Sequence, residues 1–117
     1  MFWRVLLSRM DKYEQAESLR RERLRAQTAL METDLDNAIA FIGLARTELR
    51  MGDLTRVAQL LAKVRAAHEA VGKFLVEVRD PEEHQRLRDK HDALTDALED
   101  LQRRMQPPQQ EIRSERR

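Results

Sequence analysis

Apolar residues recur every three or four positions along most of the chain, a spacing that predicts helices packing through narrow stripes. The longest stripe is Leu54, Val57, Leu61, Val64, His68, Val71, Leu75 and Val78. A second stripe is His84, Leu87, His91, Leu94, Leu98, Leu101 and Met105. If the chain folds back near residue 79, the two stripes face each other, beginning with Leu75 opposite His84 and ending with Leu54 opposite Met105. The two position numbers of each pair sum to 158 or 159, as an antiparallel arrangement requires. The pattern therefore predicts a coiled-coil-like antiparallel hairpin over residues 54–106.

An earlier seam predicts a helix that packs against the start of this hairpin. It consists of Leu24, Thr28, Met31, Leu35, Ala38, Ile42, Ala45 and Leu49. Gly52 and Asp53 then provide a helix stop and an N-cap, so the connection is short and the neighbours are antiparallel. The expected pairs are Leu49 with Leu54, Ile42 with Leu61, Ile39 with Val64 and Leu35 with His68. Leu60, Ala67 and Phe74 widen the apolar face of the second helix.

The first helix has two possible courses. Ser8 and Asp11 are spaced as a capping box, which predicts a start near residue 9, and the unbroken seam predicts continuity to residue 50. In that case residues 9–23, which are thinly apolar, project past the core. Thr33 and Asp36 have the same spacing, and a break or kink near 31–33 would fold this half back as a fourth helix.

The last helix has the clearest boundaries. Asp80 as N-cap, Pro81 at the first helical position and acidic residues in the first turn predict its start, and the proline pair at 107–108 ends it. We expect an all-α bundle with helices over about 9–50, 54–79 and 81–106. Residues 1–106 form one domain, and residues 107–117 are expected to be a disordered charged tail.

Composition supports the same class. Of 117 residues, 37% are charged and 41% hydrophobic, and the hydrophobic ones are periodic, so the chain is not of the disordered type. There is no cysteine, which is compatible with a cytoplasmic location, our expectation. The apolar start at residues 2–7 is too short for a spanning helix, which needs about 20 residues. Residues 1–30 carry a net charge of +3 and residues 80–106 carry −3, which favours their lying side by side.

His68 and His91 form the one polar layer of the hairpin, because the register places them opposite each other. They are weak candidates for a metal pair or a pH switch, since adjacent desolvated imidazoles lower each other's pKa. A hydrogen-bonded layer that fixes the register is the favoured interpretation. No metal site is predicted, because the apolar positions at this level supply no further ligands.

No sequence motif indicates catalysis or a cofactor. The chain has no Gly-x-Ser-x-Gly, His-Glu-x-x-His, Glu-x-x-His or glycine-rich phosphate loop. We therefore expect a protein that is not an enzyme and that uses no cofactor.

The expected function is a helical interaction module that associates with itself or with another protein. Its interface would bury the apolar residues of the projecting segment, namely Trp3, Met10, Tyr13 and Leu19. The alternative is binding of nucleic acid phosphates through the basic run Arg20, Arg21, Arg23 and Arg25. The run has no adjacent aromatic platform, and its arginines fan around the helix.

Overall fold

The structure, a computed structural model, describes the backbone of residues 2–106 and the side chains of residues 11–106. The predicted tail, residues 107–117, lies outside this range. Three α-helices pack together, α1 (Phe2–Met51), α2 (Leu54–Phe74) and α3 (Pro81–Met105), and a short 3-10 turn, Leu75–Glu77, follows α2. The predicted all-α bundle is therefore confirmed. None of these helices has, within the described residues, a stretch long and apolar enough to cross a membrane.

α1 is one continuous helix of 50 residues, so it extends for about 75 Å at 1.5 Å per residue. The predicted start at residue 9 was wrong, because leucine and arginine at positions 4–7 favour helix and one serine does not stop it. The fold-back into four helices was also wrong. The hydroxyl of Thr33 donates to the carbonyl of Ala29, 3.1 Å away, as a residue inside a helix does. The seam that continues through this point holds α1 intact.

The connection between α1 and α2 follows the sequence prediction. Gly52 has a φ of +82°, and its N–H and that of Asp53 donate to the carbonyls of Leu49 and Glu48. This pair of bonds is a Schellman motif, in which glycine takes the left-handed conformation that other residues avoid. The Asp53 carboxylate then accepts from the backbone N–H of Arg56 at 3.1 Å. The chain therefore reverses direction within two residues.

The turn between α2 and α3 differs in detail from the prediction. α2 ends at Phe74 rather than near 79, and the chain passes through the 3-10 turn into extended backbone at Val78 and Asp80. Proline disfavours helical backbone at the residue before it, so Pro81 explains the extended conformation of Asp80. α3 begins at Pro81 as predicted, although the Asp80 side chain makes no capping hydrogen bond.

The core lies between the three helices over the C-terminal half of α1. Its buried members are Thr28, Leu35, Ala38, Ile42, Ala45, Val57, Leu60, Leu61, Val64, Val71, Phe74, Leu87, Leu94, Leu98 and Leu101. The backbones of α1 and α2 approach each other most extensively, and those of α2 and α3 least. Small residues on α1 permit the first approach, whereas leucines and histidines separate α3 from α2.

Three predicted seam positions are exposed. Leu54 is 62% exposed and Met105 is also exposed, because they lie at the open end of the hairpin. Ile39, predicted to face Val64, is exposed as well, and the smaller Ala38 is the buried residue at that level.

α1 and α3 are parallel, and three ion pairs fix their register. Arg86 pairs with Glu32, Lys90 with Asp36, and Asp100 with Arg46, each pair 54 positions apart in the chain. A constant offset is what parallel helices require. Net charge favoured residues 1–30 lying beside residues 80–106, but these described ion pairs use residues 32–46 of α1, so that expectation was not met.

Candidate functional site

Within the part of the chain that the structure describes, no helix lies beside the N-terminal part of α1. We call residues 11–23 the overhang, and all thirteen of their side chains are exposed. Leu24 is the first half-buried residue, and Thr28 is the first buried one. The segment projects past the three-helix core, as the continuous course of α1 predicts.

Two of the four predicted interface residues lie among the described side chains. Tyr13 is 76% exposed and Leu19 is 65% exposed, so both are available to a partner. The side chains of Trp3 and Met10 lie outside the described residues. None of the side chains of residues 11–106 covers the described apolar side chains of the overhang.

Charge is ordered along this segment. Residues 11–17 contain three acids and one lysine, whereas residues 20–25 contain four arginines and one acid. Asp11, Glu14, Ser18, Arg21 and Arg25 follow a 3/4 spacing and so share one face. That face is acidic at one end and basic at the other.

The predicted nucleic-acid residues are all exposed, but they do not form a single patch. Arg20 and Arg23 share one face of α1, and Arg21 and Arg25 share another. At 100° per residue, the two faces point about 150° apart. Arg21 also pairs with Glu17 at 3.6 Å in an exposed bridge one turn apart.

The two histidines meet as the hairpin register predicts. The rings of His68 and His91 are stacked, with centroids 4.2 Å apart and planes 18° from parallel. Nε2 of His91 lies 2.9 Å from the carbonyl oxygen of His68, and Nε2 of His68 lies 2.7 Å from Oγ1 of Thr95. The Thr95 hydroxyl itself donates to the carbonyl of His91 at 2.9 Å. Both helices therefore join in one hydrogen-bonded cluster.

This arrangement fixes the proton positions. A carbonyl only accepts, so His91 donates through Nε2–H. The one hydroxyl hydrogen of Thr95 is used on His91, so His68 must also donate through Nε2–H. Neutral imidazole has one N–H, hence in both neutral rings Nδ1 is the unprotonated nitrogen. Burial, and then the neighbouring His91, lower the pKa of His68, which favours this neutral form.

Gly72 makes the His91 contact possible. A Cβ at position 72 would lie 3.3 Å from Nε2 of His91. The ring occupies the space beside a helix backbone that a side chain would otherwise fill. The register prediction found the histidines, but it did not find Thr95 or Gly72. Thr95 follows His91 by four positions, a spacing that places both on one face and could have indicated it.

The metal hypothesis gains no support from this geometry. Both Nε2 atoms face hydrogen-bond acceptors, so neither presents a lone pair to an ion. Within residues 11–106, no group of three or more histidine, acidic or cysteine side chains could hold a metal ion.

An ion network between α1 and α3 was not found from the sequence. Nζ of Lys90 lies 3.0 Å from Oε1 of Glu32 and 2.9 Å from Oδ1 of Asp36, and Arg86 contacts the same Glu32 at 3.3 Å. Hydrogen bonds to Asp36, and then to Glu32, raise the pKa of Lys90. These pairs are over 50 positions apart, so they follow only once α1 and α3 are aligned.

Comparisons of this chain with protein-family models, with curated proteins and with solved structures find no match.

Proposed function

We propose that this protein is a non-enzymatic helical interaction module that associates with a second copy of itself through the overhang. The observation that carries the proposal is that residues 11–23 form a helix with every side chain exposed. An isolated helix of this length is marginal in water, since most helical stability comes from packing. A partner that covers Tyr13 and Leu19 would supply that packing.

The order of charges favours a second copy lying antiparallel. With the two-fold axis near Ser18, Asp11 lies opposite Arg25 of the second copy, and Glu14 lies opposite Arg21. Each pair occurs twice, because the interface is symmetric. A parallel arrangement would instead place like charges together. Such pairs contribute mainly orientation and specificity.

Light scattering on a sizing column, performed on the full chain, tests this proposal. The chain should elute with the mass of a dimer or a larger assembly, and removal of residues 1–23 should lower that mass. Circular dichroism should show that the remaining core stays helical. An unchanged mass after the deletion would exclude the overhang as an interface.

A charge-swap experiment tests the antiparallel orientation. The D11R/E14R variant has arginine at all four charged positions of the face that contains Ser18, and R21E/R25E has an acid at all four. Each variant alone should associate more weakly than the natural chain, and a mixture of the two should recover association. If the mixture behaves like the separate variants, the pairing of these charges is wrong.

Nucleic-acid binding remains the alternative proposal, supported by the exposure of Arg20, Arg21, Arg23 and Arg25. Contacts of arginine with phosphate release counterions, so affinity would fall steeply with salt. Replacing all four arginines with glutamine should then abolish binding of a short duplex or single strand. Binding that is absent in the natural chain, or unchanged in this variant, would remove the alternative. The spread of the arginines around α1 favours the protein partner.

A further inference from the structure

α1 carries a second 3/4 stripe on the face opposite the core, which we call the outer stripe. It consists of Ala26, Leu30, Thr33, Asn37, Ala40, Leu44, Thr47 and Met51. All eight side chains are exposed. None carries a charge, although 37% of the chain is charged. A solvated helix face would be expected to share in that charge, so this face differs from an ordinary surface.

The side chains make this stripe more apolar than its composition suggests. Leu30 is 56%, Leu44 is 48% and Met51 is 74% exposed. The hydroxyls of Thr33 and Thr47 donate to helix carbonyls one turn earlier, Ala29 and Gly43, so their hydrogen-bond donors are already used. Asn37 is the one polar side chain of the stripe whose hydrogen-bonding groups are not accounted for by the helix.

We propose that the outer stripe is an interface with a second copy of this chain, lying antiparallel. Small and larger residues alternate along the stripe. The small ones are Ala26, Thr33, Ala40 and Thr47, and the larger ones are Leu30, Asn37, Leu44 and Met51. When position numbers across the interface sum to 77, every small residue meets a larger one. The layers are Ala26 with Met51, Leu30 with Thr47, Thr33 with Leu44, and Asn37 with Ala40, each occurring twice. Such alternation lets facing layers interdigitate at normal packing density.

A parallel pair would fit less well. Each residue would then meet its own copy, so Ala26 and Ala40 would face alanines and leave gaps, while leucines would face leucines. Gaps in an interface lose dispersion contacts on both sides. The antiparallel arrangement avoids these gaps along the full stripe.

Flanking charges select the same register. Residues that flank the stripe face each other at position numbers that sum to two less or two more than those of the layers. Shifting the copies by seven positions, so that the layers sum to 70, therefore brings Asp34 against Asp34 (sum 68) and Asp36 against Asp36 (sum 72) of the second copy. A sum of 84 brings Asp34 against Glu48. At a sum of 77, Asp34 lies opposite Phe41 and Asp36 lies opposite Gly43. Like charges directly across an interface are destabilising, so only this register has none of these repulsions.

The N-terminal end adds a favourable contact. Arg23 continues the stripe one step beyond Ala26, and in this register it reaches the C-terminal end of α1 in the second copy. Helix C-termini carry partial negative charge and favour cations. Asp53 lies at the same level. Apart from Arg23, the interface lies C-terminal to the overhang, so its eight stripe residues do not depend on the association proposed above.

Disulfide trapping in the full chain tests the orientation and the register, because the natural sequence has no cysteine. The variants Ala26→Cys and Met51→Cys are purified separately and oxidised alone or mixed. Residues 26 and 51 are about 38 Å apart along α1, so neither variant should cross-link to itself rapidly in the antiparallel pair. The mixture should give a covalent heterodimer. Cross-linking of Ala26→Cys alone would indicate a parallel pair, and no rapid cross-link in any sample would overturn the proposal.

A second experiment measures association without cysteines. The L30E/L44E variant should lower the solution mass of the full chain, at unchanged helicity, because its acids would be buried against the second copy. Val76→Glu is the control, since Val76 is 86% exposed and lies outside the stripe. If L30E/L44E leaves the mass unchanged while removal of residues 1–23 lowers it, the outer stripe is excluded and the overhang interface remains. If the reverse occurs, the stripe is the interface.

Discussion

His91 donates a hydrogen bond from Nε2 to the backbone carbonyl of His68, 2.9 Å away on the neighbouring helix. In an α-helix that carbonyl also accepts from the N–H four residues on, which here belongs to Gly72. The ring of His91 therefore shares a backbone acceptor within α2, and it reaches the acceptor because position 72 has no side chain. A contact of this type fixes both the spacing and the axial register of α2 and α3.

Gly72→Ala should therefore behave differently from Gly43→Ala. Both glycines lie inside helices, where alanine is favoured by about 1 kcal/mol. A Cβ at Gly43 meets nothing within 4 Å, so Gly43→Ala should raise the free energy of unfolding by about 0.5–1 kcal/mol. At position 72 the Cβ would displace His91 from its acceptor, which costs about 1 kcal/mol or more. Gly72→Ala should thus be neutral or destabilising.

Urea denaturation of the two variants beside the natural chain measures this difference. Equal stabilisation by both alanines would show that His91 moves aside freely. That result would contradict the assigned role of the His91 hydrogen bond.

The histidine layer predicts that stability declines in mild acid. The pKa of His68 is lowered in the folded chain, so the unfolded chain binds a proton more readily. The stabilising contribution is fully present above the unfolded pKa, about 6.5. It is lost as pH falls from there through the folded pKa of His68. The α3 groups that contact His68 are the ring of His91 and the hydroxyl of Thr95.

Denaturation midpoints measured between pH 5 and pH 8 check this prediction. His68→Gln should flatten the part of the profile below pH 6.5, whereas His84→Gln, outside the layer, should leave it in place. A natural chain whose stability does not change over this range would show that protonation of the layer is not linked to folding.

Contacts between residues that are close in the sequence were predictable, whereas the ion pairs between distant helices were not. The turn at Gly52 and Asp53 was predictable because both residues act on backbone groups within five positions. The meeting of His68 with His91 was predictable because two stripes of equal spacing have one best antiparallel alignment. By contrast, the charge difference between residues 1–30 and 80–106 did not identify the pairs that join α1 to α3. The net charge of a segment does not specify which residues lie at the same height along two neighbouring helices. Lys90 binds Glu32 and Asp36, which lie on successive turns of α1.

The Lys90 network should contribute measurably to stability. Its side chain is only 31% exposed and bonds two carboxylates, so Lys90→Met would leave Glu32 and Asp36 facing each other with only Arg86 nearby. We expect a loss of about 1 kcal/mol in the free energy of unfolding, smaller at high salt. Lys73→Met is the matched control, because Lys73 pairs with Glu69 on one exposed helix face. Its loss should be at most about 0.5 kcal/mol.

Chemical denaturation at low and at 1 M salt separates these contributions. Equal losses for Lys90→Met and Lys73→Met would mean that the network between α1 and α3 is no stronger than an ordinary surface pair.

α2 and α3 each begin after a turn, with an aspartate at the N-cap. Asp53 and Asp80 occupy equivalent N-cap positions, but only the Asp53 carboxylate accepts from the backbone, at Arg56. Asp53→Ala should therefore cost about 1 kcal/mol, as expected for the loss of a capping hydrogen bond. Asp80→Ala loses only the interaction of a carboxylate with the helix dipole, about 0.3 kcal/mol. Pro81 already sets the backbone for the first turn of α3, so that helix depends less on its cap. Asparagine in place of alanine should restore most of the stability at position 53 and make little difference at position 80. Equal losses of stability for Asp53→Ala and Asp80→Ala would show that the Asp80 side chain caps α3 in solution.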